Sequence, residues 1–308
     1  MSQFYLRKAR LLLKKNGRIV HTINPGDATD DQVQIEFNIS KSLSSTANTA
    51  SIDVWNLAES TRNAMGKEFD GVELEAGYIP PDGGSTVGTI FAGNLRDVEH
   101  RRDGDDIIST IQCGDGDAAL RKATIAKTYP RGTKVGDVVD DIYAQFEKEG
   151  IARGERKGLD DLPDFKRPYS MCGSCDREMD RIGRSNKVYW SIQNETFETL
   201  PGDGFIGGIV LLTPATGLIG VPTVTDNGVK ADAFLNPEIR PGRRVQIESQ
   251  TLEMNSEGGV YRVGSCDFSG NNRSGEFRVS IHGEAISGGK VDEGRTPANV
   301  PIPTPRPE

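Results

Sequence analysis

ADAFLNPEIRPGRRVQIES, residues 231–249, reads as a turn-rich joint that feeds a β-strand. Pro237 pushes Asn236 out of the helical region, because the proline ring collides with the residue before it there. Pro241-Gly242 is a turn pair. Val245 and Ile247 then alternate with polar neighbours, the period of a strand with one buried face. This pattern of short alternating runs cut by Gly, Pro and Asn recurs along most of the chain, so the expected fold class is mainly β with an α+β insert.

Towards the N-terminus the same grammar builds a first β domain, residues 1–120. Residues 4–14 and 18–22 flank Asn16-Gly17, a type I′ hairpin signal. Val33, Ile35, Phe37 and Ile39 alternate with polar residues, as do Ala50, Ile52 and Val54, and later Val72, Leu74, Ala76 and Tyr78. Asn56 with Glu59 three residues on suggests a capping box for a short helix that ends at Gly66. A turn at Asp82-Gly83-Gly84 and a hairpin about Asp103-Gly104 complete the set, giving strands over 89–99 and 106–113.

Residues 121–200 change character. Val135, Val138, Val139, Ile142 and Phe146 fall on one face of a helix over 133–149, stopped by Gly150. Residues 151–168 are polar and rich in Pro and Gly, which predicts an irregular connector. A second helix is predicted over 174–184, with Met179 and Ile182 inward. A hairpin about Asn194-Glu195 follows, joining 187–193 to 196–200. Residues 201–290 return to β, with strands expected over 209–212, 230–234, 244–249, 259–269 and 275–282. Residues 291–308 form a proline-rich tail expected to be extended, in the polyproline II sense.

Composition narrows the function. With 308 residues the chain has room for about two or three domains. The hydrophobic share is 35% and the aromatic share 6%, while Gly numbers 36 and Pro 16. Those values fit a turn-rich β protein and count against a helical bundle. The net charge of −8 argues against a nucleic-acid binder, whose footprint is basic. No apolar run reaches the length of a membrane span, and the basic, weakly apolar start lacks the core of a signal peptide, so synthesis in a reducing cytoplasm is expected.

Reactive constellations are few. Cys172-Gly-Ser-Cys175 invites a redox or zinc reading, but a zinc site needs two more ligands, and Cys113, Cys266 and His21, His100 and His282 are scattered. The plainer reading is packing at a helix start. Asp103, Asp105 and Asp106, and then Asp115 and Asp117, invite a calcium loop. The ligand spacing fails from either start, since Ile107 and Ile108 or Ala119 and Leu120 occupy the positions that matter. A hairpin turn and a helix N-terminus explain them. Arg101-Arg102 and Arg240 with Arg243-Arg244 read as solvated turns or ion-pair partners. No carboxylate pair, nucleophile elbow or phosphate loop stands out. The expectation is no catalytic, cofactor-binding or metal residue, no cofactor, and no enzyme.

Several stretches, in order, carry a resemblance. SLSSTANTASIDVWNLAESTR (42–62) gives a polar loop, strand and short helix. IFAGNLRDVEHRRDGDDIISTIQCGDGDAAL (90–120) gives F-x-G, then V-x-H, then C-x-DG-x-x-A-L. PRGTKVGDVVDDI (130–142) and REMDRIGRSNKVYWSIQNETFETL (177–200) follow, the latter bearing Trp190. TGLIGVPTVTDNGV (216–229), LNPEIRPGRRVQIES (235–249) and GVYRVGSCDFSG (259–270) close the series. Together, over about residues 5–285, they resemble the baseplate hub proteins of contractile-tailed bacteriophages.

That resemblance implies two tail-tube-like β-barrel domains, at 1–120 and 201–290, flanking the small α+β domain at 121–200. It implies a homotrimer whose six barrels join the six-fold tail tube, or a tube-terminal adaptor, to the three-fold central spike. Baseplate wedge proteins would be neighbours, and DNA would pass through the lumen without specific binding. The protein would be assembled in the host cytoplasm and reside in the virion, with no direct membrane anchor. The chain departs from the family in carrying Cys172 and Cys175 before the second helix. It shows no lysozyme domain or needle repeat after residue 290, so the spike is expected to be a separate polypeptide. The sequence does not distinguish an infectious phage from a headless tail-like bacteriocin. Two other classes compete: a carbohydrate-binding β-sandwich or adhesin, poorly served by two Trp and seven dispersed Tyr, and a tail-associated peptidoglycan hydrolase, which lacks a site.

Overall fold

The computed structural model describes residues 5–28, 32–81, 84–226, 228–249 and 254–285. The turn at Asp82-Gly83 and the tail from 291 onward lie outside the described residues. The first β segment comprises β1 (Arg7–Lys15), β2 (Arg18–Ile23), β3 (Ile35–Ser42), β4 (Thr49–Trp55), a short α1 (Glu59–Ala64), β5 (Gly71–Tyr78), β6 (Gly88–Asp103) and β7 (Asp106–Gly114). Asn16 and Gly17 both take positive φ, 51° and 72°, as the β1–β2 turn requires. In β3, Ile35, Phe37, Ile39 and then Lys41 all face inward.

The middle segment contains α2 (Asp117–Lys122), β8 (Thr124–Tyr129), α3 (Val135–Lys148), β9 (Ala152–Arg156), β10 (Tyr169–Ser174), α4 (Cys175–Asn186), β11 (Val188–Ile192) and β12 (Thr196–Pro201). It has its own core, where the buried face of α3 meets Met171, Met179, Ile182, Trp190 and Phe197. Phe146 stacks on Trp190 with ring centroids 6.0 Å apart. The expected connector over 151–168 contains a strand: β9 pairs in parallel with β12. It lacks apolar alternation because its arginines, 153 and 156, reach back to Asp140 on α3.

The last segment supplies β13 (Ile209–Leu212), β14 (Leu218–Thr225), β15 (Gly228–Phe234), β16 (Arg244–Ile247), β17 (Val260–Asn271) and β18 (Phe277–Glu284). The 231–249 stretch folds as its sequence indicates. Asn236 Oδ1 accepts the Glu238 N–H, Gly242 takes φ 79°, and Val245 and Ile247 are buried in β16.

The first and last segments form one sheet. Its order is β14-β15-β18-β17-β3-β4-β7-β6-β5-β1-β2, with β16 and β13 branching from β17. The joint is β17. Its first residues pair with β16, and Ser265–Asn271 pair with Ser42–Glu36 of β3. One apolar core runs across both segments, from Leu11, Phe37 and Phe91 to Val245, Phe268 and Ile281. Phe37 and Phe277 meet edge-to-face across the seam, 5.8 Å between centroids. Each such buried side chain contributes about 1.5–3 kcal/mol. The two β segments therefore share one mainly antiparallel sheet, and among the described residues no strand pairing closes either into a barrel. No described helix is long and apolar enough to cross a membrane.

Candidate assembly surfaces and the joint behind them

The sequence Cys113-Gly-Asp-Gly-Asp117 ends β7 and turns into α2. Gly116 takes φ 65°, and Gly93 packs so close that a Cβ there would lie 2.7 Å from the Gly114 carbonyl. The tight turn carries Asp115 inward, where it is 0% exposed. Its carboxylate accepts the backbone N–H of Asn194 at 2.6 Å and of Glu195 at 2.7 Å, and the Asn48 Nδ2 at 3.2 Å. Asn194 and Glu195 form the β11–β12 turn with φ of 53° and 59°, a conformation that turns both N–H groups outward to a single acceptor. Burial pushes Asp115 up to about 6, against the opposing pull of Lys41 and these donors.

Asn48 completes the joint. Its Nδ2 also donates to Ile192 O at 2.9 Å, and its Oδ1 accepts Ser42 N–H at 2.9 Å. Lys41 reaches the same turn from β3: Nζ donates to Ile90 O at 3.1 Å and to Asn194 Oδ1 at 2.5 Å. Lys14 of β1 closes the outside, 2.9 Å from Glu195 and 3.1 Å from Glu73.

The other side of the same hairpin is clasped by the last β segment. Arg243, from the Pro241-Gly242 turn, forms a two-pronged pair with Glu198 of β12 at 2.5 and 2.6 Å. Fork geometry of this kind gives direction as well as attraction. Arg262 donates to the carbonyls of Gly202 and Gly204, at 2.8 and 3.0 Å, and pairs with Glu284 at 2.6 Å. Leu43, Leu200 and Ile206 form a small apolar patch beneath. The insert is thus wedged between the two β segments and braces the seam at β3–β17.

Among the described residues the main path of the sheet ends at β2 and β14 with no further strand paired to either, and β13 ends the side branch. At one end β2 presents Ile19 and Val20, each 52% exposed. At the other, β14 presents Val221, 62% exposed, where Gly220-Val221-Pro222 bulges out of register with β15. Unpaired edges with apolar side chains are templates for pairing with another chain. The end of the β6–β7 hairpin, from Glu99 to Asp106, is also exposed.

The other sequence candidates do not converge. Cys172 is exposed on β10, while Cys175 is buried at the start of α4. Burial, with Asp176 and Glu178 adding to it, pushes the Cys175 thiol up to about 11, the reverse of an activated thiol. Asp103, Asp105 and Asp106 lie at an exposed hairpin turn, and among the described residues no group of His, Cys, Asp or Glu could hold a metal. Arg101 pairs loosely with Asp53 at 3.7 Å. Asn56 does not cap α1. It takes φ 52° and its side chain bonds Asp106 and the Ile107 N–H, while Ala58 holds the cap position without a side-chain bond. Asp115 and Lys41 went unrecognised as a joint, although one signal was present: Lys41 sits where the inward series Ile35, Phe37, Ile39 calls for an apolar residue.

Known proteins share this fold. The 43 kDa tail protein of prophage MuSo2 from Shewanella oneidensis superposes with a TM-score of 0.59 at 10% identity, over 91% of this chain and 98% of that one. A tail protein from Neisseria meningitidis gives 0.58 at 8% identity, over 91% and 97%. The E. coli c3393 protein, a type VI secretion component described as similar to the T4 tail proteins gp27 and gp5, gives 0.58 at 11%, over 83% and 74%. At such identities these likenesses concern the fold. No curated protein sequence matches the chain. A family model does, over residues 18–283, and it describes the baseplate hub gp41. That span runs from β2 to β18 and takes in the insert with Lys41, Asn48, Asp115 and Asn194 of the joint, and the chain belongs to the baseplate hub gp41 family.

Proposed function

We propose that this chain is the ring-forming subunit of a contractile tail's baseplate. Three copies close a ring that joins the six-fold tube to the three-fold spike, and DNA passes through the lumen. The observation that carries this reading is the braced sheet whose main path, among the described residues, ends unpaired at β2 and at β14. Unlike ends that meet head to tail build a ring when the rotation closes. The segments 1–120 and 201–290 serve as two tube-like units per subunit, with 121–200 as the wedge between them. Tube, or a tube-terminal adaptor, lies on one side and spike on the other, with wedge proteins around the rim, so the protein resides in the virion after assembly in the host. Its work is mechanical and it catalyses no reaction. Mass photometry of the protein mixed with its tube and spike partners tests the reading. Complexes with three copies are expected; a chain that stays monomeric with both partners present contradicts it.

A further inference from the structure

We propose that Lys41 and Asn194 condense: the lysine side chain forms an isopeptide bond to the asparagine side-chain carbonyl, tying β3 covalently to the β11–β12 turn. This goes beyond the ring reading and does not depend on it.

Lys41 is poorly placed as a cation. It is 1% exposed, and both oxygens that Nζ touches, Ile90 O and Asn194 Oδ1, are uncharged. Among the described residues no carboxylate lies within ion-pair distance of it, Asp115 acting only from farther away. A buried ammonium without a partner in contact is costly. Burial pushes Lys41 down to about 8, which brings the neutral amine, the nucleophilic form, within reach near neutrality.

Asn194 is offered to that amine. Its backbone N–H is pinned by Asp115, and its amide oxygen lies 2.5 Å from Nζ. The nitrogen that must leave is the least held part, with one long contact of 3.5 Å to Thr89 O. Asp115, fully buried, holds the backbone N–H groups of Asn194 and Glu195 and so fixes the turn that presents the amide.

In the step, the neutral Nζ of Lys41 adds to Cγ of Asn194. A proton moves from Nζ to Nδ2, the Cγ–Nδ2 bond breaks, and ammonia leaves. Overall an amine and a primary amide give a secondary amide and ammonia, with no change of oxidation state. The product N–H keeps Ile90 O as its acceptor, and position 41 no longer carries an ionisable amine.

The test is the intact mass of the full-length protein under denaturing conditions. The wild type is expected to be lighter than its sequence by one ammonia. A tryptic map should show a branched peptide joining Lys41 to Asn194, and the deficit should vanish in Lys41→Met and in Asn194→Ala. A wild type at full sequence mass overturns the proposal, and so does a deficit that persists in Lys41→Met. The wild-type mass decides the matter even if a variant folds poorly.

Discussion

Lys41 and Asp115 are ionisable side chains in buried positions: Lys41 follows Ile35, Phe37 and Ile39 on the inward face of β3, and Asp115 is sealed under the β11–β12 turn. Asp115 gives a pH signature. Its folded value, about 6, lies above the ordinary 3.8, so the folded state holds a proton that the unfolded chain releases between those values. Its contribution to stability is therefore fully present below about pH 4 and is lost as pH climbs to about 6. The direction is the same whether Lys41 is a cation or an amide, because burial dominates. Urea unfolding of wild type and Asp115→Asn should show a stability difference that moves against the wild type, by on the order of 1–3 kcal/mol, between pH 4 and pH 7. A difference that is flat over this range, or that moves the other way, contradicts the assignment. Alternation made the buried face of β3 readable, but the role of Asp115 was not. Gly114-Asp115-Gly116 reads locally as a turn, and the donors that give the carboxylate its role arrive from residues 194 and 195.

At the scale of elements, legibility followed local cause. Asn16-Gly17 and Asn194-Glu195 show as hairpin turns because positive φ at both central residues is a local demand. The helical face of α3 shows for the same reason. β8, β9 and β14 do not, since their pairing partners are distant or their faces polar: β14 carries Gly220 and Pro222, and β9 spends its arginines on Asp140. β2 shows as a strand, but that it ends the sheet's main path emerges only from the full strand order. Replacing Ile19 and Val20 together with lysine should leave the isolated protein's stability within about 1 kcal/mol, because both side chains are already half in solvent and a lysine stem can cover what they cover. Assembly with tube and spike should fail, because charge on an edge blocks strand pairing. Thermal unfolding and mass photometry check the two halves. Loss of the fold, or assembly unaffected, would contradict the assignment of β2 as an assembly edge.

For the whole molecule, the decisive contact joins Ser265–Asn271 to Ser42–Glu36, more than two hundred residues apart, and no local pattern announces it. Sequence alone separates two β segments; the pairing merges them into one sheet with one core. The net charge of −8 belongs to this scale as well. A conduit lined with Lys and Arg would release counterions at each phosphate and hold its cargo. The purified protein should therefore show no salt-sensitive retention of duplex DNA at physiological ionic strength in a mobility-shift assay; tight, salt-sensitive binding would contradict a slippery lumen. The most direct measurement is a cryo-EM reconstruction of the assembled tail that carries this protein. The ring account predicts three copies around the channel axis between tube and spike, with β2 of each packed against its neighbour. A single copy, six copies, or a position away from the axis would contradict it.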